Sequence, residues 1–345
     1  MEAYLEFTSA KDFLDYFLPH NENNHFDETH IFRGQQNSNW ELIPSLYRKP
    51  CSIGKYFVTS FEFFEKNFHI FYGDKRLNNI FGSSPDNVKL RAFKMYCFEK
   101  ILLNEFIKSA NKLNFHLLGA EKAIDIKYVF DSDISQMVKP LELDQDYSKS
   151  HITGMPDVIV PEPYVALAQH HGIPTKLLDF TVNPLAALFF ASQNTGDEEE
   201  EEIAVYSTSL KDYYFDSSYI YYDRSKRDSS LCGMHGILRV PNSHNEYLYK
   251  QGGIFLYPKY PYSFFLEYGR YPNLEDHGKM INTYNGKENS SIRMYTLPGT
   301  EKPKLRKLLK RWGITKSSLM PTLDNVVQDL KADFLTKQDF HPYNY

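Results

Sequence analysis

In IFRGQQ, residues 31–36, an arginine, a glycine and two glutamines follow two large apolar residues. A guanidinium there offers a planar fork that matches phosphate in a bidentate way. Gly34 would let another group come close to the backbone, and Gln35 continues the polar run. The structural alternative for Arg33 is an ion pair at a strand end. AQHHG sets His170 and His171 before a glycine. A neutral imidazole can hydrogen-bond a hydroxyl, with one ring facing the core and the other a cleft, whereas a satisfied core histidine is the plainer outcome. In KLLDFT, Asp179 and Thr181 are two residues apart and share one face of an extended strand. KQGGIF places Gln251 before two glycines. Each of these residues falls at an expected element boundary, where sites are usually built.

The common signatures are absent: no phosphate loop, G-x-G-x-x-G, H-E-x-x-H, paired C-x-x-C or G-x-S-x-G pattern occurs. Three cysteines, odd in number and far apart, indicate neither a disulfide framework nor a zinc site, so no metal and a reducing, cytoplasmic setting are expected. A net charge of -5 argues against a broad basic face for duplex binding but leaves room for a pocket that reads a few nucleotides. With 26 Tyr and 26 Phe, the chain has aromatic side chains enough for thick cores or for stacking surfaces. The amino-terminal residues lack a basic start and an apolar core, and no stretch approaches about 18 uninterrupted apolar residues, so no membrane contact is expected.

Positioning these residues requires a mixed architecture. SAKD at 9–12 has the order of a capping box before a helix, and HIFRG reads as a strand. The apolar residues of VKLRAFKMYCFEKILLNEFIKSANKL recur at spacings of three and four and predict a long helix. A polar connector is expected from about 131 to 157. PEPYVALAQHHG predicts a short helix ended by Gly172, KLLDFT a strand, and VNPLAALFFASQ a buried helix capped by Asn183 with Pro184 in its first turn. The acidic run TGDEEEEE at 195–202 reads as a solvated loop. IAVYSTSL, SSYIYY, GILRVP and GGIFLYP predict four strands. KPKLRKLLKRWG and PTLDNVVQDLKADF predict closing helices, the first with a basic face, either solvated or turned to an acidic partner or a nucleic-acid strand.

FRGQ with WELIPSLYR, then AQHHGIPTKLLDFTVNPLAALFFA, then KQGGIF, then LRKLLKRWGITKSSLMPTLDNV together resemble the FRG-domain family, in pieces from residue 31 to about 330. Proteins of that family resemble ADP-ribosyltransferases in their arrangement of motifs, and many act as toxins or effectors in bacterial phage-defence and toxin-antitoxin loci. The resemblance implies an α+β fold with an ADP-ribosyltransferase-like split β-sheet core. It implies a single catalytic unit over 1–345, with a helical elaboration at 51–150 and a helical carboxy-terminal cover at 300–345. NAD is then the substrate, and three strands contribute to its site: Arg33 from the first, Thr181 from the second and Gln251 before the third. Arg33, with Gly34 and Gln35, would grip NAD. Thr181 with His170 or His171 would hold the ribose, and Gln251 would arrange the reacting sugar.

Gln251 departs from the glutamate of related enzymes. An amide can bind a ribose hydroxyl but cannot accept a proton as a base while an oxocarbenium-like state forms. Either the acceptor is already nucleophilic or another carboxylate serves, Asp179 being the best placed by sequence. Asp179 otherwise orients His170, His171 or Arg33, caps the following helix, or pairs with Arg33; Gln251 otherwise satisfies backbone groups at a strand end. The implied activity is mono-ADP-ribosyl transfer to a macromolecule. RNA or another nucleic acid is slightly favoured over protein because Tyr and Phe can stack splayed bases, and an antitoxin and a chaperone are further expected partners. An NAD glycohydrolase and a non-catalytic binding module are the rival readings.

Overall fold

The computed structural model describes residues 4–48, 64–68, 87–120, 161–193, 201–213, 235–241, 246–285 and 291–336. The strand expected at SSYIYY, the connector at 131–157, most of the acidic run and much of the 51–150 elaboration lie outside these residues.

The fold is α+β. One seven-stranded sheet is built from β1 (Tyr4–Glu6), β2 (His30–Gln35), β3 (Leu178–Thr181), β4 (Ile203–Ser209), β5 (His235–Leu238), β6 (Gly253–Pro258) and β7 (Ile292–Leu297). Their order is β1-β7-β4-β2-β3-β6-β5. β1 and β7 are parallel and every other neighbouring pair is antiparallel. β2 pairs with β4 along its whole length, from His30↔Ser209 to Gln35↔Ala204. On its other side it meets β3 at Phe32↔Thr181 alone, while β3 pairs with β6 from Leu178↔Leu256 to Thr181↔Gly253. The middle of the sheet therefore parts beyond Phe32, on the side where Arg33, Gly34 and Gln35 stand.

Helices cover both faces: α1 (Ala10–Tyr16), α2 (Asn87–Lys112), α3 (Pro163–His170), α4 (Pro184–Ala191), α5 (Glu246–Gln251), α6 (Pro261–Tyr268), α7 (Leu274–Asn285), α8 (Lys302–Arg311), α9 (Lys316–Leu319) and α10 (Leu323–Thr336). Alternation along the strands sends Phe32, Val205, Tyr295 and Leu297 into a core with α1, α4 and α8, and sends Ile31, Phe180, Ala204 and Leu256 into a second core on the opposite face. α4 is apolar on nearly every side and five of its eight residues are buried, as its sequence requires. Asn183 caps it, accepting from the Leu185 amide, and Gly172 adopts φ +87 just beyond α3. Ser9 caps α1 by accepting from the Lys11 amide, a one-sided cap in place of the expected reciprocal box.

α2 explains much of the aromatic content. Phe93 and Tyr96 pack with Tyr47, Tyr262 and Tyr271, and Tyr47 stacks on Tyr271 at 4.2 Å. The large aromatics exposed among the described residues are Tyr4, Trp40, Phe115, Tyr249, Tyr268 and Trp312. Most described rings are core and not stacking surface, the first of the two uses that composition left open. Among the described residues no helix is long and apolar enough to cross a membrane.

His277 of α7 is buried; its Nδ1 accepts the His235 amide at 3.1 Å and its ring stacks on Tyr213 at 4.3 Å. Burial first, and the nearby His235 second, hold its pKa well below the ordinary imidazole value. An unfolded chain takes up this proton near pH 6.5 while the folded one refuses it, so stability is complete above that pH and falls below it by about 1.4 kcal/mol per unit. Urea midpoints of the wild type should therefore drop more between pH 7.5 and 5.5 than those of His277→Phe; equal drops would show that His277 carries none of the acid sensitivity.

Candidate functional site

The parting of β2 from β3 opens a cleft of about 400 Å³. Its walls include Arg33, Gly34 and Gln35 of β2, Asp179 and Thr181 of β3, His170 at the end of α3 and Gln251 at the end of α5. The structure thus brings seven of the eight residues singled out by sequence to one place. His171 is absent from the lining: it is exposed, its ring 5.2 Å from that of His170 and 6.4 Å from that of Phe106. The expected division, one ring in the core and one in the cleft, does not hold, because both histidines stand at the exposed end of α3.

Arg33 is anchored. Its Nη1 donates to the Asp179 carbonyl at 2.7 Å and lies 3.7 Å from Asp179 Oδ2, and its side chain is 13% exposed. Its Nε is buried without a partner, as is Oε1 of Gln35. Both residues project from the same face of β2, two positions apart. Burial lowers the Arg33 pKa, while Asp179 and then Tyr206 oppose the shift; an arginine so placed stays charged.

Asp179 is held from the other side. Gln169 donates Nε2 to Asp179 Oδ1 at 2.7 Å, and Thr175 donates its hydroxyl to Gln169 Oε1, which fixes which end of the amide faces the carboxylate. The Thr175 hydroxyl also accepts from the Leu177 amide. Asp179 does not cap α4, a role Asn183 takes. Its side chain is 63% exposed, so its carboxylate meets both Arg33 and solvent.

Two residues have prior engagements that the sequence did not disclose. Thr181 is buried, and its hydroxyl accepts from the Asn183 amide at 2.8 Å and donates to the Gln251 carbonyl. It latches the β3–α4 turn to the α5–β6 turn, so the hydroxyl proton expected for a ribose is already given to a carbonyl. Gln251 ends a helix and not a strand; Gly252, at φ +61, makes the turn into β6. Its amide donates Nε2 to the Leu319 carbonyl at 3.3 Å and ties the carboxy-terminal helices to the cleft. Gly34 likewise has another reason to be glycine. A Cβ there would lie 1.9 Å from the Ala187 carbonyl oxygen and 2.7 Å from the Ala191 nitrogen. The group that comes close to this backbone is helix α4.

The WELIPSLYR stretch supplies cleft residues that the sequence did not single out. Leu42 and Leu46 are buried and the Leu46 amide donates to the Thr175 carbonyl, which folds the stretch over the end of β3. Trp40, 41% exposed, and Arg48 are left lining the cleft. Arg48 donates Nε to the Ile43 carbonyl at 3.0 Å, and its pKa falls to about 10, through burial first and the charge of Arg33 second. Phe190 and Met320 add apolar wall. Two guanidiniums and one largely exposed carboxylate thus line a space bounded by an indole, a phenyl ring and a thioether, with the buried Gln35 in its wall. Such a surround favours a ligand with anionic groups at one end and a flat ring at the other. His170, stacked on Tyr247 at 4.4 Å, is held below the usual imidazole pKa by desolvation and then by His171, which leaves its ring neutral near pH 7.

Among the described residues no group of three histidine, cysteine or acidic side chains is placed to hold a metal ion. Residues 98–200 match a family model described as FRG domain. The match contains α3, β3 and α4, hence Gln169, His170, Asp179, Thr181 and Phe190, while Arg33, Trp40, Arg48, Gln251 and Met320 come to the cleft from outside it. No curated protein and no solved structure matches the chain.

Gly34→Ala should lower stability by about 3 kcal/mol or prevent folding, because the clash is with helix backbone and exceeds ordinary overpacking; an unchanged melting temperature would mean that α4 does not sit this close. Thr181→Val keeps the shape but strands the Gln251 carbonyl, and should cost about 1–3 kcal/mol in denaturant titration, with wild-type stability excluding the latch.

Proposed function

We propose that this protein, which carries an FRG domain, is an NAD-dependent mono-ADP-ribosyltransferase of the toxin or effector kind. The observation that carries the reading is that Arg33 and Arg48 line one cleft with exposed Trp40 and a single, largely exposed carboxylate, Asp179. Two positive charges against one negative leave the floor of the cleft cationic and suited to a pyrophosphate, while Trp40 and Phe190 offer faces to a base or a nicotinamide ring. The parting of β2 from β3 is compatible with an ADP-ribosyltransferase-like split sheet, on which β2, β3 and β6 deliver Arg33, Thr181 and the turn after Gln251 in the expected order.

The chemistry follows from the charges. Cleavage of the bond between nicotinamide nitrogen and ribose C1′ sends the electron pair to the ring, which loses its positive charge and departs. Positive charge develops at the sugar, beside the Asp179 carboxylate. An oxygen or nitrogen of the acceptor forms the new bond to C1′ and gives up its proton, for which Asp179 is the acidic side chain in the lining. Gln251, whose amide nitrogen holds Leu319, arranges the cleft wall and takes no proton. The same cleft with water as acceptor is an NAD glycohydrolase, which the exposure of Asp179 also allows.

The test is incubation of a lysate, treated in parallel with nuclease or protease, with NAD labelled on its adenylate. Wild type should transfer label to a nuclease-sensitive product. Arg48→Ala should raise KM for NAD by about tenfold or more, the scale of one lost charge-assisted hydrogen bond, and Trp40→Ala should do the same with its folding intact. Nicotinamide release without transferred label would identify the hydrolase. Neither product, in a protein that still binds NAD, would leave a binding module, and no NAD binding would sink the reading.

A further inference from the structure

Residues 302–323 contain seven lysines and arginines and no aspartate or glutamate, in a chain of net charge -5. The structure divides these cations by task. Lys302 is buried, Arg306 turns inward and donates Nη1 to the Ser192 carbonyl at 3.0 Å, and Lys304 pairs with Glu301 at 2.6 Å. Lys316 donates to Gln328. Leu305 and Leu309 bury the opposite side of α8. Lys307, Lys310 and Arg311 remain on the outer face, and among the described residues Lys307 and Arg311 have no ion-pair partner. Trp312 follows them at the end of the helix, 55% exposed, before Gly313 at φ +73.

Cations in a last turn are favoured by the carbonyl end of the helix, which accounts for Lys310 and Arg311. That effect does not reach Lys307, one turn earlier, and it does not call for an exposed indole. The surface is also joined to the cleft. α8 packs on α4, which supplies Phe190 to the cleft wall, and the chain leaves α8 through α9 to Met320, which lines the cleft as well.

We propose that the outer face of α8 with Trp312 docks a single-stranded nucleic acid, and on the transferase reading this is the acceptor strand. Lys307, Lys310 and Arg311 follow its phosphates, and Trp312 stacks on a base. A single strand exposes the faces of its bases, which a duplex conceals, and the basic strip is too narrow to serve as a general duplex surface on so acidic a chain. An acidic protein segment would use the charges but not the indole.

Anisotropy of labelled single-stranded RNA and DNA, with the full chain and at salt between about 50 and 200 mM, tests this. Lys307→Glu with Arg311→Glu should weaken binding by about tenfold or more and reduce the salt slope by about one per cation removed. Trp312→Ala should weaken single-strand binding by about tenfold and leave residual duplex binding unchanged. Both variants should keep wild-type melting temperatures and NAD affinity. Absence of oligonucleotide binding by the wild type, or variants that bind as well as it does, would overturn the proposal. Displacement by polyglutamate as effective as by unlabelled RNA would overturn it in favour of an acidic protein partner. Oligonucleotide binding that behaves as expected in a protein unable to bind NAD would retain the docking face and remove the transferase reading.

Discussion

A guanidinium spans the place where two central strands cease to pair. β2 is joined to β4 and β3 to β6 along their lengths, yet β2 and β3 meet at one position, and just beyond it Nη1 of Arg33 reaches the Asp179 carbonyl. A side chain satisfies a backbone acceptor where a strand amide would ordinarily serve. The cleft exists because the ladder stops, and the ladder can stop because its loose end is tied by the residue that also sets the charge of the cleft. The guanidinium of Arg33 thus serves the fold through Nη1 while the residue also lines the cleft.

The same economy runs through the neighbouring residues. Thr181 and Gln251 join turns and helices through hydrogen bonds to carbonyls, and Gln169 with Thr175 holds Asp179 in place from behind. The groups left to meet a ligand are those with little else to bind: the outer side of Arg48, the indole of Trp40 and the solvated side of Asp179. Two cations lie near one carboxylate in a partly dehydrated space, and the charge of Arg33 depresses the pKa of Arg48, though less than burial does. An incoming anion relieves that repulsion, which is a reason for affinity independent of any particular contact.

Much of this was legible in the amino-acid order because the signals were local. Asn183 before Pro184, Gly172 after a helical run, and an all-apolar PLAALFFA can each be read within a dozen residues. β7, β1, α5, α6, α7 and α9 went unread. β1 has three residues, and α7 mixes Gly278 with polar side chains. β7, IRMYTL, lacks a clean alternation: Ile292 is buried, Arg293 and Met294 are half-buried, and Tyr295, Thr296 and Leu297 are all buried. Site membership was legible for residues that break an apolar run, such as Arg33 and Asp179. It was not legible for Trp40 and Arg48, whose stretch looks like a scaffold because Leu42, Leu46 and Tyr47 indeed are one. Gln169 was passed over beside a conspicuous histidine pair, yet it is the residue that touches the carboxylate. The role of Thr181 depended on Gln251, 70 residues away, and no local pattern reports such a bond.

Gly34 faces atoms that every residue possesses. The nearest neighbours of its missing Cβ are the carbonyl oxygen of Ala187 and the amide nitrogen of Ala191, both main chain. Replacing either alanine leaves those atoms where they are, and there is no smaller side chain to try. A loss caused at this position therefore has no remedy in the side chains of α4. Revertants of a defective Gly34 variant should return to glycine itself, which makes this the least negotiable letter in the motif.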